Sequence, residues 1–234
     1  FHTLRDAEFD NISLDLIYDI PGRSPSDLER DLGEALALGP EHLSCYELEA
    51  KPDTRFTHAY GAELARQAEA MEDYFERVVE RLAGAGYRWY ATAPSCRVED
   101  GRDLRSRHNL AYWLGRDYLA LGIGAVSTIQ GARWRTTPSL ARYRAALARG
   151  ERPDRELEPL DEAVQRTERV MLGLRLDEPL ALAPVEQALN PEVLSRLERL
   201  GLAERSFGSD GGAMLALTRR GRFLGGAVTA ELLA

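Results

Sequence analysis

The first fifty residues alternate between patterns typical of strands and of a helix. Residues 11–18 alternate apolar and polar side chains, which predicts a half-buried strand. Residues 24–27 read Ser-Pro-Ser-Asp, a helix start, and the predicted helix ends at residues 39–40, Gly-Pro. Residues 42–49 predict a second strand. Because a helix connects the two strands over so short a stretch, we expect them to be parallel neighbours.

The pattern further along the chain predicts helices and short strands joined by polar loops. We expect an amphipathic helix at 63–84, a strand at 87–94, an irregular loop at 97–107, a helical or turn-like stretch at 110–115 and a glycine-interrupted strand at 118–129. Then follow a helix at 139–150, a charged linker at 151–159, and helices at 161–175, 181–189 and 191–200. A Gly-rich turn, a strand and a Thr-capped helix complete an order typical of winged helices.

Composition narrows the classes of function. The chain has 234 residues, enough for one large domain or a medium and a small one, and a net charge of -8. Residues 160–234 hold 11 acids against 9 arginines, so we expect no nucleic-acid partner. We also expect no integral membrane segment and no signal peptide. Two cysteines give no disulfide framework, which predicts a cytoplasmic location.

The stretch "SRHNLAYW" at residues 106–113 is the main candidate site. One interpretation is structural: His108 and Asn109 cap a helix, and Tyr112 and Trp113 fill a core. The other is a site for a flat, apolar, metal-bearing ligand, because a neutral imidazole suits axial iron ligation and Tyr112 would share its helical face. Three preceding arginines could pair with carboxylates of such a ligand: Arg102, Arg105 and Arg107.

Six stretches, taken in order, resemble one family. They are "FDNISLDLIYDIPG", "LGPEHLSCYELE", "SRHNLAYW", "YLALGIGAVST", "ERVMLGLRL" and "RLERLGLAER" with "LTRRGR". Together they resemble the later part of oxygen-independent coproporphyrinogen III oxidase-like radical SAM proteins, in the haem chaperone (HemW-type) branch. The resemblance implies an α/β fold: the C-terminal part of a partial (β/α) barrel (residues 1–60), an α+β accessory region (61–150) and a winged-helix-like C-terminal module (160–234).

The resemblance also implies ligands. The family uses S-adenosyl-L-methionine (SAM) and a [4Fe–4S] cluster, and its chaperone branch handles haem. Asp15 matches an acid beside SAM, and Thr128 lies near the same ligand. Residues 108–113 match the His-Asn-x-x-Tyr-Trp pattern of the chaperone branch, so His108 becomes a candidate haem iron ligand, with Asn109, Tyr112 and Trp113 around the haem.

This sequence departs from the family's pattern at several positions. Asp19 stands where the family usually has glycine, and Ala91 and Pro94 replace an acid and an asparagine. Cys45 and Cys96 do not reproduce the family's Cys-x3-Cys-x2-Cys loop. We therefore expect the carboxyl portion of such a protein, inactive by itself, with no catalytic residue assigned.

The expected function is a fragment of a haem chaperone that binds haem and delivers it, with a haem-accepting respiratory protein as a possible partner. Two alternatives stay open. One is a coproporphyrinogen III oxidase, an enzyme of oxidative decarboxylation in porphyrin biosynthesis. The other is a winged-helix binding module that uses no cofactor.

Overall fold

A computed structural model describes residues 1–68 and 71–233 and shows a mixed α/β protein. Its helices are α1 (His2–Asp6), α2 (Pro25–Leu38), α3 (Arg55–Ala68), α4 (Met71–Gly84), α5 (Arg107–Trp113), α6 (Leu140–Ala148), α7 (Glu162–Gly173), α8 (Pro191–Arg199), α9 (Arg219–Phe223) and α10 (Gly225–Leu232), with a 3₁₀ turn at Glu186–Ala188. Its strands are β1 (Ser13–Tyr18), β2 (His42–Glu47), β3 (Tyr87–Trp89), β4 (Pro94–Arg97), β5 (Val126–Ile129), β6 (Ala132–Thr136), β7 (Arg155–Glu158), β8 (Leu180–Ala181), β9 (Ala203–Phe207) and β10 (Ala213–Leu217).

The first sheet has the strand order β1-β2-β4-β3. Strands β1 and β2 are parallel, with Asp15 opposite Ser44, which confirms the predicted parallel pair. Strand β4 runs antiparallel to both β2 and β3. The apolar face of this sheet packs against α2 and α4 through a core that includes Leu32, Leu43 and Leu82.

Helix α2 forms where its end signals predict it. The Ser24 side chain accepts a hydrogen bond from the backbone N–H of Asp27, and the Asp27 side chain accepts one from the backbone N–H of Ser24, a complete capping box. Gly39 ends the helix in the left-handed conformation, with φ 69°. These local contacts satisfy helix-end groups without help from the rest of the fold.

Two smaller sheets follow. One has the order β5-β6-β7 and is antiparallel throughout. The other has the order β8-β10-β9, and Asn190 caps the adjoining α8 through its side-chain oxygen. Thr218 caps α9, as the sequence predicts.

The chain divides into two compact units. The first unit comprises residues 1–106, 176–178 and 217–225, and the second comprises residues 107–175, 179–216 and 226–234. Each unit therefore contains segments that are far apart in sequence.

The predicted helix at 63–84 began too late in the chain. Helix α3 already begins at Arg55, because Thr54 and Thr57 form reciprocal side-chain to backbone hydrogen bonds that cap it. The middle of the predicted helix, residues 69–70, lies outside the described residues. Its second half matches α4.

Strand predictions were less accurate. The single strand predicted at 87–94 is the hairpin of β3 and β4. Only residues 126–129 of the strand predicted at 118–129 are β5, because Gly122 and Gly124 have φ of 112° and 63° and break the extended chain. The linker predicted at 151–159 contains β7, and the helix predicted at 181–189 is mostly a turn.

Among the described residues, no helix has the length and apolar character needed to cross a membrane.

Candidate functional site

Helix α5 carries the His-Asn-x-x-Tyr-Trp stretch in the second unit. His108 is exposed, and its ring lies edge-on to Tyr112 with the ring centroids 5.0 Å apart. The predicted sharing of one helical face is therefore confirmed. Tyr112 in turn lies against Tyr118, with their centroids 4.8 Å apart. The three rings form a partly exposed aromatic row.

Asn109 and Trp113 are half-buried on the same helix. The Arg175 guanidinium lies 5.0 Å from the centroid of the Trp113 ring. The Arg169 side chain donates a hydrogen bond of 2.8 Å to the Trp113 carbonyl. The indole N–H of Trp113 is buried and has no partner among the described residues. This tryptophan is thus held mainly by contacts to its ring and backbone.

An open cleft of about 750 Å³ lies in the second unit, and Tyr112, Tyr118 and Thr128 line it. This volume falls within the range of roughly 300–1,000 Å³ that is typical of small-molecule sites. Its apolar lining comes from several elements of the unit: Val126, Leu160, Met171, Leu172, Pro184 and Val185. His108 does not line this cleft itself, but its ring contacts Tyr112, which does. The cleft is therefore large enough for a planar, largely apolar ligand and offers aromatic and apolar side chains for it to contact.

Thr128 contributes a hydroxyl to the cleft. Its Oγ1 accepts a hydrogen bond of 3.1 Å from Arg133, whose guanidinium also forms two hydrogen bonds, of 2.6 and 2.7 Å, with the Glu168 carboxylate. This ion pair lowers the pKa of Glu168 below its usual value. The Thr128 hydroxyl proton can still be donated to a ligand.

Two of the arginines that the sequence suggested for ligand carboxylates already pair with protein carboxylates in the first unit. Arg102 contacts Asp10 at 3.1 Å and Glu99 at 3.3 Å. Arg105 contacts Asp103 at 2.7 Å and also Glu178, and the Arg105 hydrogen bonds lower the pKa of Asp103 to about 2.

Asp15, the residue implied to lie beside SAM, is exposed on β1 in the first unit. Next to it runs a chain of hydrogen bonds that sequence reasoning missed. Ser13 Oγ lies 2.8 Å from His42 Nδ1, and His42 Nε2 lies 2.8 Å from the Tyr90 hydroxyl. Burial lowers the pKa of His42, which favours the neutral imidazole, and the Asp15 charge opposes that shift. The only sequence signal was a histidine at the start of a strand.

Asp19 follows β1 directly and has a strained backbone. Its φ is 60°, the left-handed region in which glycine has no steric penalty. Its side chain is buried, and Oδ1 has no hydrogen-bond partner among the described residues. Burial raises the pKa of its carboxyl. The positive φ gives a physical reason for the glycine that the family usually has at this position.

The cysteines do not fit an iron–sulfur cluster. Cys45 packs in the core beneath the sheet, whereas Cys96 lies opposite His42 and so faces the other side. Burial raises the pKa of Cys45 to about 12 and that of Cys96 to about 11, which keeps both as thiols. Within the described part of the chain, no group of His, Cys, Asp and Glu is arranged to hold a metal ion.

Comparison with known proteins finds relatives that match most of this chain. No family model matches the chain. The haem chaperone HemW of Mycobacterium tuberculosis is 34% identical over 236 residues, covering 96% of this chain and 56% of that protein. HemW of Bacillus subtilis is 28% identical over 237 residues, covering 97% of this chain and 60% of that protein.

The fold has a solved counterpart. The structure of coproporphyrinogen III oxidase (HemN) of Escherichia coli, a radical SAM enzyme, matches 100% of this chain and 57% of its own with a TM-score of 0.72 at 18% identity. At that identity the match shows the fold. Over almost its whole length the chain is thus similar in sequence to haem chaperones of the HemW type, and its fold is like that of HemN. It spans somewhat over half the length of these relatives.

Proposed function

We propose that this chain carries the haem-contacting region of a haem chaperone, with haem as its cargo. The observation that carries the proposal is the edge-on contact of the exposed His108 ring with Tyr112, which lines the cleft. An exposed imidazole can ligate or closely approach haem iron. Tyr112 and Trp113 shape the aromatic wall, and Asn109 orients the segment between them.

Finer features of the fold support the same proposal. The parallel pair β1 and β2 with its connecting α2 fits the end of a (β/α) barrel. The order of α8, β9, β10 and α9 fits a winged-helix-like module. The predicted division into residues 1–60, 61–150 and 160–234 stays a prediction, and its boundaries differ from those of the two compact units.

For the SAM side, Asp15 and Thr128 are two separate proposals, each made within its own unit. Asp15 is exposed and could accept hydrogen bonds from a ribose hydroxyl or an ammonium group, and Thr128 could donate its hydroxyl proton. The cysteines of this chain do not fit the [4Fe–4S] cluster. A cytoplasmic location and delivery to a respiratory haem acceptor are proposals for the whole protein.

The test is a haem titration followed by visible absorption. We expect His108→Ala to shift the Soret band of the haem-loaded chain and to weaken binding about tenfold, because an axial ligand is lost. Tyr112→Phe, which keeps the ring and removes the hydroxyl, should have a smaller effect.

Folding of each variant is checked by circular dichroism. If haem titrates identically into the wild type and a folded His108→Ala, residues 108–113 cap a helix and fill a core, and the site assignment is wrong. If the wild type itself binds no haem, the alternative of a cofactor-free binding module is favoured.

A further inference from the structure

The arginines that line the cleft form ion pairs, with two exceptions. Four arginines and four acids contribute to the lining: Arg116, Arg133, Arg166, Arg169, Asp117, Glu158, Glu162 and Glu168. Arg133 pairs with Glu168 at 2.6 Å and contacts Glu158 at 3.4 Å, and Arg166 pairs with Glu162 at 3.1 Å. Both Asp117 carboxylate oxygens accept the backbone N–H of Gln130 at 3.0 Å. These contacts neutralise two of the four arginines.

Arg116 and Arg169 are the exceptions: within the described residues, neither forms an ion pair. Arg169 is half-buried, and its Nη1 donates to the Trp113 carbonyl at the end of α5. The backbone N–H of Arg116 donates to the Ala111 carbonyl at 2.8 Å, which fixes Arg116 just past the same helix end. Two unpaired guanidinium groups therefore belong to the cleft beside α5.

The environment of Arg169 favours an anion. Burial lowers the pKa of Arg169. A partly desolvated cation gains most when an anion reaches it, and a guanidinium suits a carboxylate because both are planar and bidentate. Six apolar residues also line the cleft, so a suitable ligand combines an apolar body with carboxylates.

We propose that Arg116 and Arg169 are the carboxylate-binding residues of this cleft, and that its ligand is a planar, apolar molecule bearing two carboxylates. This inference rests on the proposed haem function and assigns the propionate contacts of that ligand. It also replaces Arg102 and Arg105 in that role, since those two already pair with acids of the first unit.

The test uses protoporphyrin IX, which has both carboxylates and no iron, and its dimethyl ester, in which both carboxylates are blocked. Binding is followed by porphyrin fluorescence with the wild-type chain. We expect the free acid to bind at least about tenfold more tightly than the ester, because each carboxylate gains a charge-assisted hydrogen bond.

Variants locate the carboxylate contacts. Arg169→Gln and Arg116→Gln should each weaken binding of the free acid about tenfold and leave ester binding unchanged. Arg166→Gln is the matched control, because it removes an arginine of the same cleft that already pairs with Glu162. It should change binding less than about twofold. Arg169→Lys keeps the charge and should recover part of the loss.

Arg169 also donates a hydrogen bond to the Trp113 carbonyl at the end of α5, so replacing it could disturb that helix. Arg116 is exposed, and Arg116→Gln leaves the contact between Arg169 and Trp113 in place. Equal binding of acid and ester by the wild type would overturn the inference, as would wild-type affinity in both folded arginine variants. The probe lacks iron, so its binding does not depend on ligation by His108. If the arginine variants weaken porphyrin binding but His108→Ala does not change haem binding, only the proposed iron contact is wrong. If His108→Ala weakens haem binding but the arginine variants do not change porphyrin binding, only the proposed carboxylate contacts are wrong.

Discussion

Asp19 shows how one residue can combine two kinds of strain. Its left-handed backbone costs free energy that glycine would not pay, and its buried carboxylate oxygen has no partner in the described part of the chain. The backbone strain could be suspected from the sequence, because Asp19 stands in the turn "DIPG" where the family usually has glycine. The burial of the carboxylate depends on which residues pack over the side chain, so only the structure could reveal it.

Replacing this residue should stabilise the protein. We expect Asp19→Gly to raise the free energy of unfolding by about 1 kcal/mol at pH 7, because it relieves the backbone and removes the buried charge. The folded-state pKa of Asp19 is raised, so the folded state holds its proton more tightly and the penalty grows as pH rises through the unfolded value.

Urea denaturation at pH 7 and pH 4 measures both effects. The gain from Asp19→Gly should shrink at the lower pH, where the carboxyl becomes protonated, and the backbone part should remain. A glycine variant that is no more stable than the wild type at pH 7 would show that Asp19 makes compensating interactions. Asp31→Asn serves as a charge-removal comparison, because Asp31 is a carboxylate of α2 that pairs with Arg23, which precedes the helix.

Other residues of the candidate sites could not have been identified from the sequence. His42 and Tyr90 meet only because β2 and the β3–β4 hairpin share a sheet, and they are 48 residues apart. Arg169 reaches Trp113 across 56 residues. Contacts of this kind carry no local pattern. His108 and Tyr112, by contrast, lie one helical turn apart, and helical spacing alone predicts that they meet.

At the scale of elements, helices with local end signals were predicted well and exposed strands were not. Ser24, Ser139, Asp161 and Thr218 all cap helices through their side chains, and each signal lies within a few residues of its helix. Every residue of β7 is exposed, so its sequence "RELE" shows no apolar alternation. Its pairing with β6 is what makes it a strand, and pairing is not visible in sequence.

Two helical glycines should respond oppositely to alanine. A Cβ on Gly173 of α7 would lie 2.8 Å from Leu180 Cδ1, and Leu180 is itself buried in β8. We expect Gly173→Ala to destabilise the protein by about 1–3 kcal/mol through overpacking. A Cβ on Gly33 of α2 meets nothing within 4 Å, so Gly33→Ala should stabilise by about 0.5–1 kcal/mol.

Chemical denaturation of the two variants measures the change in the free energy of unfolding for each, and we expect the two changes to have opposite signs. The helix-propensity gain is common to both substitutions, so the difference between them reports the contact with Leu180. Equal changes in stability would mean that α7 and β8 can separate at no cost, contrary to the close approach seen here.

At the scale of the whole molecule, the exposed surface of β1 stands out. Within the described residues, β1 pairs only with β2, so its other edge is open. Ile17 on this strand is 53% exposed and Phe9 just before it is 56% exposed. Parallel strands are usually covered on both sides, and an open edge with apolar side chains can pair with another chain.

We therefore expect this chain to self-associate in a concentration-dependent way through β1. Ile17→Lys should shift the equilibrium towards monomer, because a charge on an open edge opposes strand pairing. Val98→Lys is the matched control: it adds the same charge at a 70% exposed apolar position that lies outside this strand. Light scattering over a dilution series measures the mean mass of all three proteins. A wild-type chain that stays monomeric at every concentration would contradict the prediction, and equal effects of the two lysines would assign association to net charge rather than to the β1 edge.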